Sequence, residues 1–349
     1  MSGSVDFAEV LLAWHARHGR HDLPWQHPRT PYRVWVSEIM LQQTQVKTVI
    51  PYFNAFMQRF PTLATLAEAP ETAVMQAWAG LGYYSRARNL HKAAKLCAAN
   101  HGSELPDDFE ALLALPGIGR STAGAILSQA HGRRHAILDG NVKRVLTRFF
   151  AIGGDPASAA VSARLWQTAE SLLPATRMAD YTQALMDLGA TLCARAKPGC
   201  GICPLAPQCR AQREGSVAQY PGRKTRKPVP ERGIHMLVLQ RKDGAVLLER
   251  RPGSGIWGGL HSLPEAADEA EARHLAKRLA RRAGGEPVRL PVFTHVFSHF
   301  RLTIHALHWR GCAPKAAIAD NDALSWLAPH EWPDVGLPAP IKTLLQDLP

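Results

Sequence analysis

The chain lacks acidic residues relative to basic ones, has few cysteines and has no long apolar run. Its 349 residues contain 29 Asp and Glu against 41 Lys and Arg, which gives a formal net charge of +12. A basic surplus of this size favours a polyanionic partner such as nucleic acid. No apolar run is long enough to span a bilayer, and charges interrupt the amphipathic N-terminal segment, unlike a signal peptide. We therefore expect a cytoplasmic protein without a membrane partner.

Six cysteines without an export signal indicate a reducing compartment and metal binding rather than disulfides. Four of them fall in one proline-containing loop with the spacing C-x6-C-x2-C-x5-C: Cys193, Cys200, Cys203 and Cys209. Clustered thiolates can hold an iron–sulfur cluster or a tetrahedral zinc ion. Zinc sites more often use two C-x2-C pairs, so the spacing favours the cluster.

A glycine-containing turn, residues 115–121, separates two apolar helical patterns. Glycine lacks a Cβ and permits a tight turn, and the first N–H groups of the following helix have no internal partners. Such a helix start can hold a phosphate. The candidate phosphate-binding residues of this turn are Gly117, Gly119, Arg120 and Ser121.

Asp139 immediately precedes a second helical pattern, in which apolar residues recur at i, i+3, i+4, i+7 and i+8 from Val142. Two interpretations of Asp139 and Asn141 remain open on the residues alone. Either residue can simply cap the helix, or Asp139 can present a carboxylate for chemistry beside the phosphate-binding turn. Lys143 lies in the first turn of the same predicted helix.

A second candidate carboxylate, Glu38, lies in SEIMLQQTQVKTVIPYFNAFMQRFP, which predicts one long helix. An apolar stripe is predicted for Trp35, Ile39, Val46 and Ile50. The neighbouring face carries Glu38, Leu41, Gln42 and Gln45. This pattern fits either a half-buried cleft or a solvated polar face.

Aromatic rings lie among arginines in Leu81-Gly82-Tyr83-Tyr84, which precedes Arg86 and Arg88. The glycine sharpens a turn that presents the rings. Such rings can stack on bases while the arginines pair with phosphates, or they can form a packed corner.

The pattern changes class in the last third of the chain. Residues 215–232 are polar, basic and proline-containing, which predicts a linker. Beyond it, IHMLVLQRK and AVLLERR flank Asp243-Gly244, the signal of a two-residue β-hairpin turn. A helix within 268–283 and the strand patterns FTHVFSHF and LTIHALHWR follow, so an α+β fold is predicted.

Several motifs together resemble known DNA repair families. The LPGIGR turn followed by Asp139 resembles the helix-hairpin-helix of base-excision DNA glycosylases, and SEIMLQQTQV resembles the signature of the adenine-specific MutY family. The cysteine spacing resembles the iron–sulfur loop of endonuclease III and MutY, and the final region resembles a Nudix (MutT-like) fold. The resemblance covers nearly the whole chain.

The resemblance implies two domains. Residues 1–214 are expected to form an all-α helix-hairpin-helix glycosylase domain with a hairpin at 115–121 and a [4Fe–4S] loop at 193–209. Residues 233–349 are expected to form a Nudix-like mispair-recognition domain. Gly259 and Glu265 keep the opening G-x5-E spacing of the Nudix metal box. The remainder of the box reads Arg273-His274-Leu275-Ala276-Lys277-Arg278, and Lys and Arg cannot bind Mg²⁺, so we expect recognition without nucleotide hydrolysis.

The implied reaction is hydrolysis of the N-glycosidic bond of adenine opposite 8-oxoguanine or guanine in duplex DNA. The departing base needs an acid, and the oxocarbenium-like sugar needs a negative charge. Glu38 is the expected acid, with a pKa raised by burial. Asp139 is the expected anion, kept ionised by the helix start, and Asn141 is expected to orient water or the sugar.

The adenine must leave the base stack before it can react. The resemblance assigns Gln43 and Tyr83, beside Gln42, to the gap in the duplex. It assigns the opposite base to a reader loop, Phe297-Ser298-His299. On the residues alone, this segment fits an aromatic core pair with a satisfied polar neighbour better than a reader loop.

Bifunctional relatives carry a lysine where this chain has Ser121. A serine cannot form an imine, so the enzyme is expected to be monofunctional, with Lys143 trapping abasic product only adventitiously. An endonuclease III-like lyase, a non-catalytic lesion sensor and a Nudix pyrophosphohydrolase are the alternatives. The expected protein is a monomer of the bacterial cytosol and nucleoid, with replication or mismatch-repair proteins as further candidate partners.

Overall fold

The computed structural model describes residues 6–222, 229–253, 255–297, 300–315 and 323–348. The chain divides into two compact units, one of Met1–Ala69 with Asn89–Thr225 and the other of Pro70–Arg88 with Arg226–Pro349. The division after Thr225 falls inside the predicted linker. Within the described ranges, no helix combines the length and the apolar character that crossing a membrane requires.

Helices fill the chain before the linker, and several begin where a side chain accepts a backbone N–H group at the helix start. Such caps are Asp6, Thr30, Thr62, Asp108 and Asp139. The helices are α1 (Phe7–His18), α2 (Pro31–Leu41), α3 (Val46–Arg59), α4 (Leu63–Glu68), α5 (Glu71–Ala77), α6 (Ser85–Asn100), α7 (Phe109–Leu113), α8 (Arg120–His131), α9 (Gly140–Phe149), α10 (Ala159–Ser171), α11 (Met178–Thr191) and α12 (Arg210–Arg213).

The core of the first unit joins α1, α9 and α11. Leu11 of α1, Leu146 of α9 and Leu185 of α11 are almost fully buried in one apolar cluster. Ile137 and Leu138 belong to the same cluster. The chain is therefore anchored in the core immediately before Asp139, and the position of this carboxylate is fixed from both sides.

The prediction of one long helix around Glu38 is wrong. Helix α2 ends at Leu41 and α3 begins at Val46, because Gln43 has a left-handed backbone with φ of 60° that interrupts the helical hydrogen bonds. The predicted apolar stripe therefore does not continue through Val46 and Ile50. The buried face of α3 is formed by Val49, Phe53, Phe56 and Met57. Glu38 lies in the last turn of α2, directly before the loop.

A mixed sheet forms the centre of the second unit. The strands are β1 (Glu231–Arg241), β2 (Val246–Arg250), β3 (His261–Ser262), β4 (Glu265–Ala266), β5 (Ala280–Arg281), β6 (Val288–Arg289), β7 (Phe293–Val296), β8 (Arg301–Pro314) and β9 (Leu324–Leu327). Strands β1 and β8 run parallel, with Glu231 opposite Arg301 and Leu239 opposite Trp309. The order is β3-β2-β1-β8-β5. In addition, β4 pairs with β1, β6 and β7 pair with β8, and β9 pairs with β2.

Two helices of the last region accompany this sheet. Helix α13 (Glu269–Leu279) buries Ala272 and Ala276 in the same apolar cluster as Leu237 and Leu239 of β1. Helix α14 (Ala339–Gln346) buries Ile341, Leu344 and Leu345. The predicted mixture of strands with a helix within 268–283 is confirmed.

The predicted two-residue turn at Asp243-Gly244 is one residue too short. Arg241 donates its N–H to the carbonyl of Ala245 at 2.8 Å, so three residues lie between the paired positions. Gly244 has φ of 87°. A three-residue hairpin loop needs a left-handed residue at this position, and glycine provides it.

Candidate active site

One cavity of the first unit, with a volume of about 820 Å³, brings together six residues that the sequence singled out. They are Glu38, Gln42, Gln43, Ser121, Asp139 and Asn141. These residues come from the end of α2, the loop after it, the start of α8 and the start of α9. The cavity therefore joins the two candidate carboxylates that are about one hundred positions apart in the chain.

Glu38 has a carboxyl group that can be protonated near neutral pH. Its pKa is raised to about 7, mainly by burial and to a smaller extent by the neighbouring charge of Asp139. The amide of Gln129 donates to Glu38 Oε1 at 3.2 Å, which lowers the pKa. The raised pKa expected for an acid at this position is thus present, with burial as its main cause.

Asp139 is both a helix cap and a wall of the cavity. Its Oδ1 accepts a hydrogen bond from the N–H of Val142 at 2.7 Å, as the capping interpretation predicts. Burial raises the pKa of Asp139, while hydrogen bonds from Val142 and Asn141 and the charge of Arg144 oppose this rise. The helix start therefore favours the ionised carboxylate but does not outweigh burial.

Asn141 is held by a close approach of two helices. Its Oδ1 accepts from Arg144 Nη2 at 2.8 Å, and the same guanidinium donates to the carbonyl of Gly189 at 2.6 Å. A Cβ placed on Gly189 would lie 2.6 Å from the Cβ of Asn141. Only glycine allows α11 to come this near to the start of α9.

Two predicted DNA-contacting residues have left-handed backbones. Gln43 has φ of 60° and Tyr83 has φ of 50°. Neither residue is glycine, and a non-glycine residue in this region of backbone space is strained, which is common at functional sites. Gln43 is exposed in the first unit, and Tyr83 is 46% exposed in the second. Each strained residue therefore presents an accessible side chain.

The predicted phosphate-binding turn has the expected backbone, but its side chains have partners within the chain. Gly117 has φ of 81°, and α8 starts at Arg120 without a side-chain cap. Arg120 pairs with Glu170 at 2.5 Å and stacks over the ring of Trp166. Ser121 Oγ accepts from the N–H of Leu138 at 3.0 Å and so braces the segment before Asp139.

The four loop cysteines line one small cavity of about 30 Å³ together with Arg148. The buried Arg148 donates to Cys193 Sγ at 3.4 Å, and Arg144 donates to the Cys193 carbonyl at 2.7 Å. Burial raises the pKa of Cys203 to about 11, with contributions from the other three thiolates. Across the described ranges, no group of three or more His, Cys, Asp or Glu side chains is arranged to hold a metal ion, so the cluster is not shown directly.

A second cavity of about 840 Å³ lies within the second unit. Tyr83 and Phe297 both line it. The ring of Phe297 stacks on Phe300 at 4.6 Å and lies 5.7 Å from the ring of Trp257, and Arg232 lies over Phe300. Ser298 and His299 of the predicted reader loop lie outside the described residues.

Two glutamines of the first unit escaped the sequence analysis. Gln129 contacts Glu38, as described above. Gln183 lines the active-site cavity, and its Nε2 donates to Asp187 at 2.7 Å, while its Oε1 has no partner within the described part of the chain. A lone amide among buried helical residues was the available signal for both. Lys143, by contrast, is half-buried in the first turn of α9 and does not line the cavity.

Comparison with known proteins gives two successive family matches along the chain. Residues 36–171 match the family model of the HhH-GPD superfamily base excision DNA repair protein, and residues 235–347 match the NUDIX domain. The adenine DNA glycosylase of Buchnera aphidicola subsp. Acyrthosiphon pisum (strain APS) is 36% identical over 341 residues, which cover 98% of this chain and 97% of the relative. The predicted order of a helical domain and an α+β Nudix domain is confirmed.

Two further matches extend the comparison. The adenine DNA glycosylase of Homo sapiens is 36% identical over 410 residues, which cover 98% of this chain and 74% of the human protein. The solved structure of a thermostable thymine-DNA glycosylase is 28% identical, with a TM-score of 0.55, and the match covers 60% of this chain and 95% of that chain.

Proposed function

The chain belongs to the adenine DNA glycosylase family, and on this premise we propose that it hydrolyses the N-glycosidic bond of adenine mispaired with 8-oxoguanine or guanine in duplex DNA. The reaction starts base excision repair. The observation that carries the proposal is the pair of buried carboxylates, Glu38 and Asp139, on the wall of one cavity. A paired acid and anion is what the departure of an unmodified purine requires.

Glu38 acts as the general acid. With a pKa of about 7, a large fraction of its carboxyl is protonated at neutral pH and can donate to N7 of the adenine. The same carboxylate, once ionised, can accept a proton from the water that attacks the sugar.

Asp139 supplies the negative charge beside the sugar. The hydrogen bond from Val142 and the nearby Arg144 favour its ionised form against the effect of burial. This carboxylate stabilises the oxocarbenium-like centre or bonds to it transiently. Asn141, fixed by Arg144, orients water or the sugar.

DNA binding combines side chains that enter the base stack with backbone N–H groups that bind the DNA phosphates. We assign Gln43 and Tyr83 to the gap left by the flipped adenine, because both are exposed on strained backbones, and Gln42 to the strand beside it. The uncapped start of α8 places N–H groups where a phosphate can accept them. Gly117, Gly119, Arg120, Ser121 and Lys143 are assigned to this contact.

Four cysteines would hold a [4Fe–4S] cluster. The wall of their small cavity carries all four side chains, Cys193, Cys200, Cys203 and Cys209, and thiolates are the ligands of such clusters. The bound cluster would supply four anchoring bonds to the loop, and the chain itself supplies the cations Arg144 and Arg148 near Cys193.

The second cavity is our candidate for recognition of the opposite base. Its aromatic rings, including Phe297 and Trp257, offer stacking surfaces for a purine. We assign Phe297, Ser298 and His299 to the reader loop. Replacement of Ser298 and His299 by Ala should narrow the preference for 8-oxoguanine over guanine, and an unchanged ratio of rates would place the reader elsewhere.

Single-turnover adenine release from duplexes with A:8-oxoguanine, A:G and A:T pairs tests the proposed function. We expect release from the first two and none from the third. A duplex that binds without releasing adenine would indicate a lesion sensor instead. Borohydride trapping tests the monofunctional assignment, because Ser121 cannot form an imine. Efficient trapping with strand cleavage would favour a lyase.

The cluster assignment has a separate test. The purified protein should absorb visible light, and iron and sulfide should be present in equal amounts. Cys203→Ser should lose most of this absorption, whereas Cys312→Ser, in the second unit, should retain it. Stoichiometric zinc without visible absorption would contradict the assignment.

A further inference from the structure

Gln129 is a buried amide whose only partner in the described part of the chain is the carboxyl of Glu38. It lies in the last turns of α8 and is 4% exposed. Its Nε2 donates to Glu38 Oε1 at 3.2 Å, across the contact between α8 and α2. Glu38 lines the active-site cavity but Gln129 does not, so the amide contacts Glu38 from within the packed helices.

The other end of this amide is equally informative. Gln129 Oε1 is buried and has no hydrogen-bond partner among the described residues. A buried acceptor without a partner is unfavourable, and most such groups in proteins are satisfied. An apolar side chain of similar volume would avoid this penalty, and the neighbouring positions Ile126 and Leu127 are apolar. The amide therefore has a role that packing alone does not explain.

We propose that Gln129 is a positioning residue that holds the carboxyl of Glu38 in both of its protonation states during the reaction. The inference rests on the proposed role of Glu38 as the acid that becomes a base. A carboxylate only accepts hydrogen bonds, whereas a protonated carboxyl has one O–H to donate. A glutamine amide can meet both requirements, because rotation about its last bond exchanges Nε2 and Oε1 at nearly the same position.

The exchange follows the proton through the proposed reaction. While Glu38 is protonated, its O–H either faces the adenine or donates to Gln129 Oε1. After the proton moves to N7 of the adenine, the ionised Glu38 accepts from Gln129 Nε2, which is the contact that the structure shows. Gln129 forms no covalent bond during the reaction. Its amide acts only by holding the carboxyl of Glu38 in place and by changing its pKa.

Among the described residues, no charged side chain other than that of Glu38 hydrogen-bonds to the amide of Gln129. Those that share its cavity are Arg20, Lys47, Asp139, Arg144 and Arg195. Of the elements packed on α2, helix α3 carries Lys47 and Arg59, helix α8 carries Arg120 and His131 at its ends, and α2 itself carries Arg33. Burial and the charge of Asp139 raise the pKa of Glu38, and the donation from Gln129 lowers it toward neutrality.

Gln129→Met tests the proposal, because methionine keeps the length of the side chain and removes both the donor and the acceptor. The readout is the pH dependence of single-turnover adenine release. Activity requires protonated Glu38, so its alkaline limb reports the pKa of this group. The hydrogen bond to the ionised carboxylate is stronger than the one to the neutral carboxyl, so loss of the amide destabilises the ionised form more, and the limb should move to higher pH by about one unit. A merely structural residue would lower the rate without moving the limb.

Ser128→Ala is the matched control on the same helix. Ser128 is fully buried and hydrogen-bonds to Thr182 rather than to Glu38. Its pH profile should superimpose on that of the wild type. Gln129→Asn provides a second variant if Gln129→Met does not fold, because the shorter amide cannot span the 3.2 Å contact and should also move the limb upward.

The outcomes separate this inference from the proposed function. If Glu38→Gln retains adenine release, the role of Glu38 is wrong and the inference falls with it. If Glu38→Gln is inactive while both Gln129 variants keep the wild-type limb, or move it to lower pH, only the inference is overturned. An upward shift in the Gln129 variants with unchanged duplex affinity supports it.

Discussion

Two carboxylates of the helical unit differ in their surroundings from two carboxylates of the sheet unit. In the helical unit, Glu38 and Asp139 are buried on one cavity, and among the described residues the side chain of Glu38 hydrogen-bonds only to an amide, that of Gln129. In the sheet unit, Glu265 pairs with Arg251 at 2.9 Å, and Glu269 pairs with Arg273 at 2.7 Å. Burial raises the pKa of Glu38 to about 7, whereas arginine hydrogen bonds lower the pKa of Glu269.

The difference in hydrogen-bond partners and burial decides which carboxyl groups can exchange a proton at neutral pH. A carboxyl near the surface that is paired with a guanidinium, such as Glu269, stays ionised and cannot deliver a proton at neutral pH. A buried carboxyl with a weak neutral donor can gain and lose a proton there. Glu265, which keeps a position of the Nudix metal box, is intermediate, because burial raises its pKa while its pair with Arg251 opposes the rise. The next four predictions test this contrast.

Glu38→Gln should have the largest effect. Proton donation is lost while the shape of the side chain is kept, so adenine release should fall by about 10²–10⁴-fold with little change in duplex affinity. Single-turnover release and equilibrium binding at one fixed salt concentration measure the two quantities. Glu269→Gln in the sheet unit is the control and should release adenine at the wild-type rate. A Glu38→Gln enzyme within tenfold of the wild type would refute the acid assignment.

Asp139→Asn should reduce adenine release by about 10²–10³-fold while leaving stability nearly unchanged. Asparagine caps a helix as well as aspartate does, so the substitution removes the charge but keeps the cap. Asp268→Asn is a matched control, because Asp268 caps α13 through the N–H of Glu271 at 2.8 Å in the sheet unit. The control should leave both activity and melting temperature unchanged. A loss of activity that follows a loss of stability would mean that Asp139 is only a cap.

The pH dependence of stability should have opposite signs in the two units. The pKa of Glu38 is raised from 4.5 to about 7, so its contribution is fully present below pH 4.5 and is lost as pH rises through 7. Relative to the wild type, Glu38→Gln should gain up to about 3 kcal/mol between pH 5 and pH 8. The pKa of Glu269 is lowered from 4.5, so its contribution is present above pH 4.5 and is lost as the pH falls below that value. Glu269→Gln should therefore lose stability relative to the wild type as the pH rises from about 3.5 to about 5.5. Urea unfolding across each of the two pH ranges measures these differences, and equal signs would contradict them.

Arg273→Met should have the smallest effect. Its guanidinium pairs with Glu269 and Glu286 near the surface of the sheet unit. Such pairs contribute little to stability because water and salt screen them. The urea midpoint of unfolding should therefore change only slightly, with adenine release unchanged. A large drop in the midpoint, or a loss of activity, would contradict this prediction.

Features encoded by neighbouring residues could be predicted from the sequence. The four cysteines, the cap at Asp139 and the turn at Gly117 each depend on a few consecutive positions. The interruption after Leu41 could not be predicted, because the helical period of polar and apolar residues continues across it. The left-handed backbone at Gln43 carries no glycine or proline to mark it.

The partner of Glu38 was equally hidden. Gln129 is 91 positions away, and nothing in AILSQAH distinguishes an amide that contacts a carboxyl from one that faces solvent. The predicted phosphate contacts of Arg120 and Ser121 did not account for Glu170 and Leu138, which hold these side chains within the chain. Contacts between distant helices determine what such polar residues do, and a local pattern does not contain them.

The close approach at Gly189 makes this position sensitive to substitution. Gly189 has no side chain, yet a single methyl group added to it would collide with Asn141. The collision would displace the start of α9, where Asp139 lies. A Gly189→Ala variant should therefore resemble a defect of Asp139 in activity measurements, although the added methyl group has no chemistry of its own.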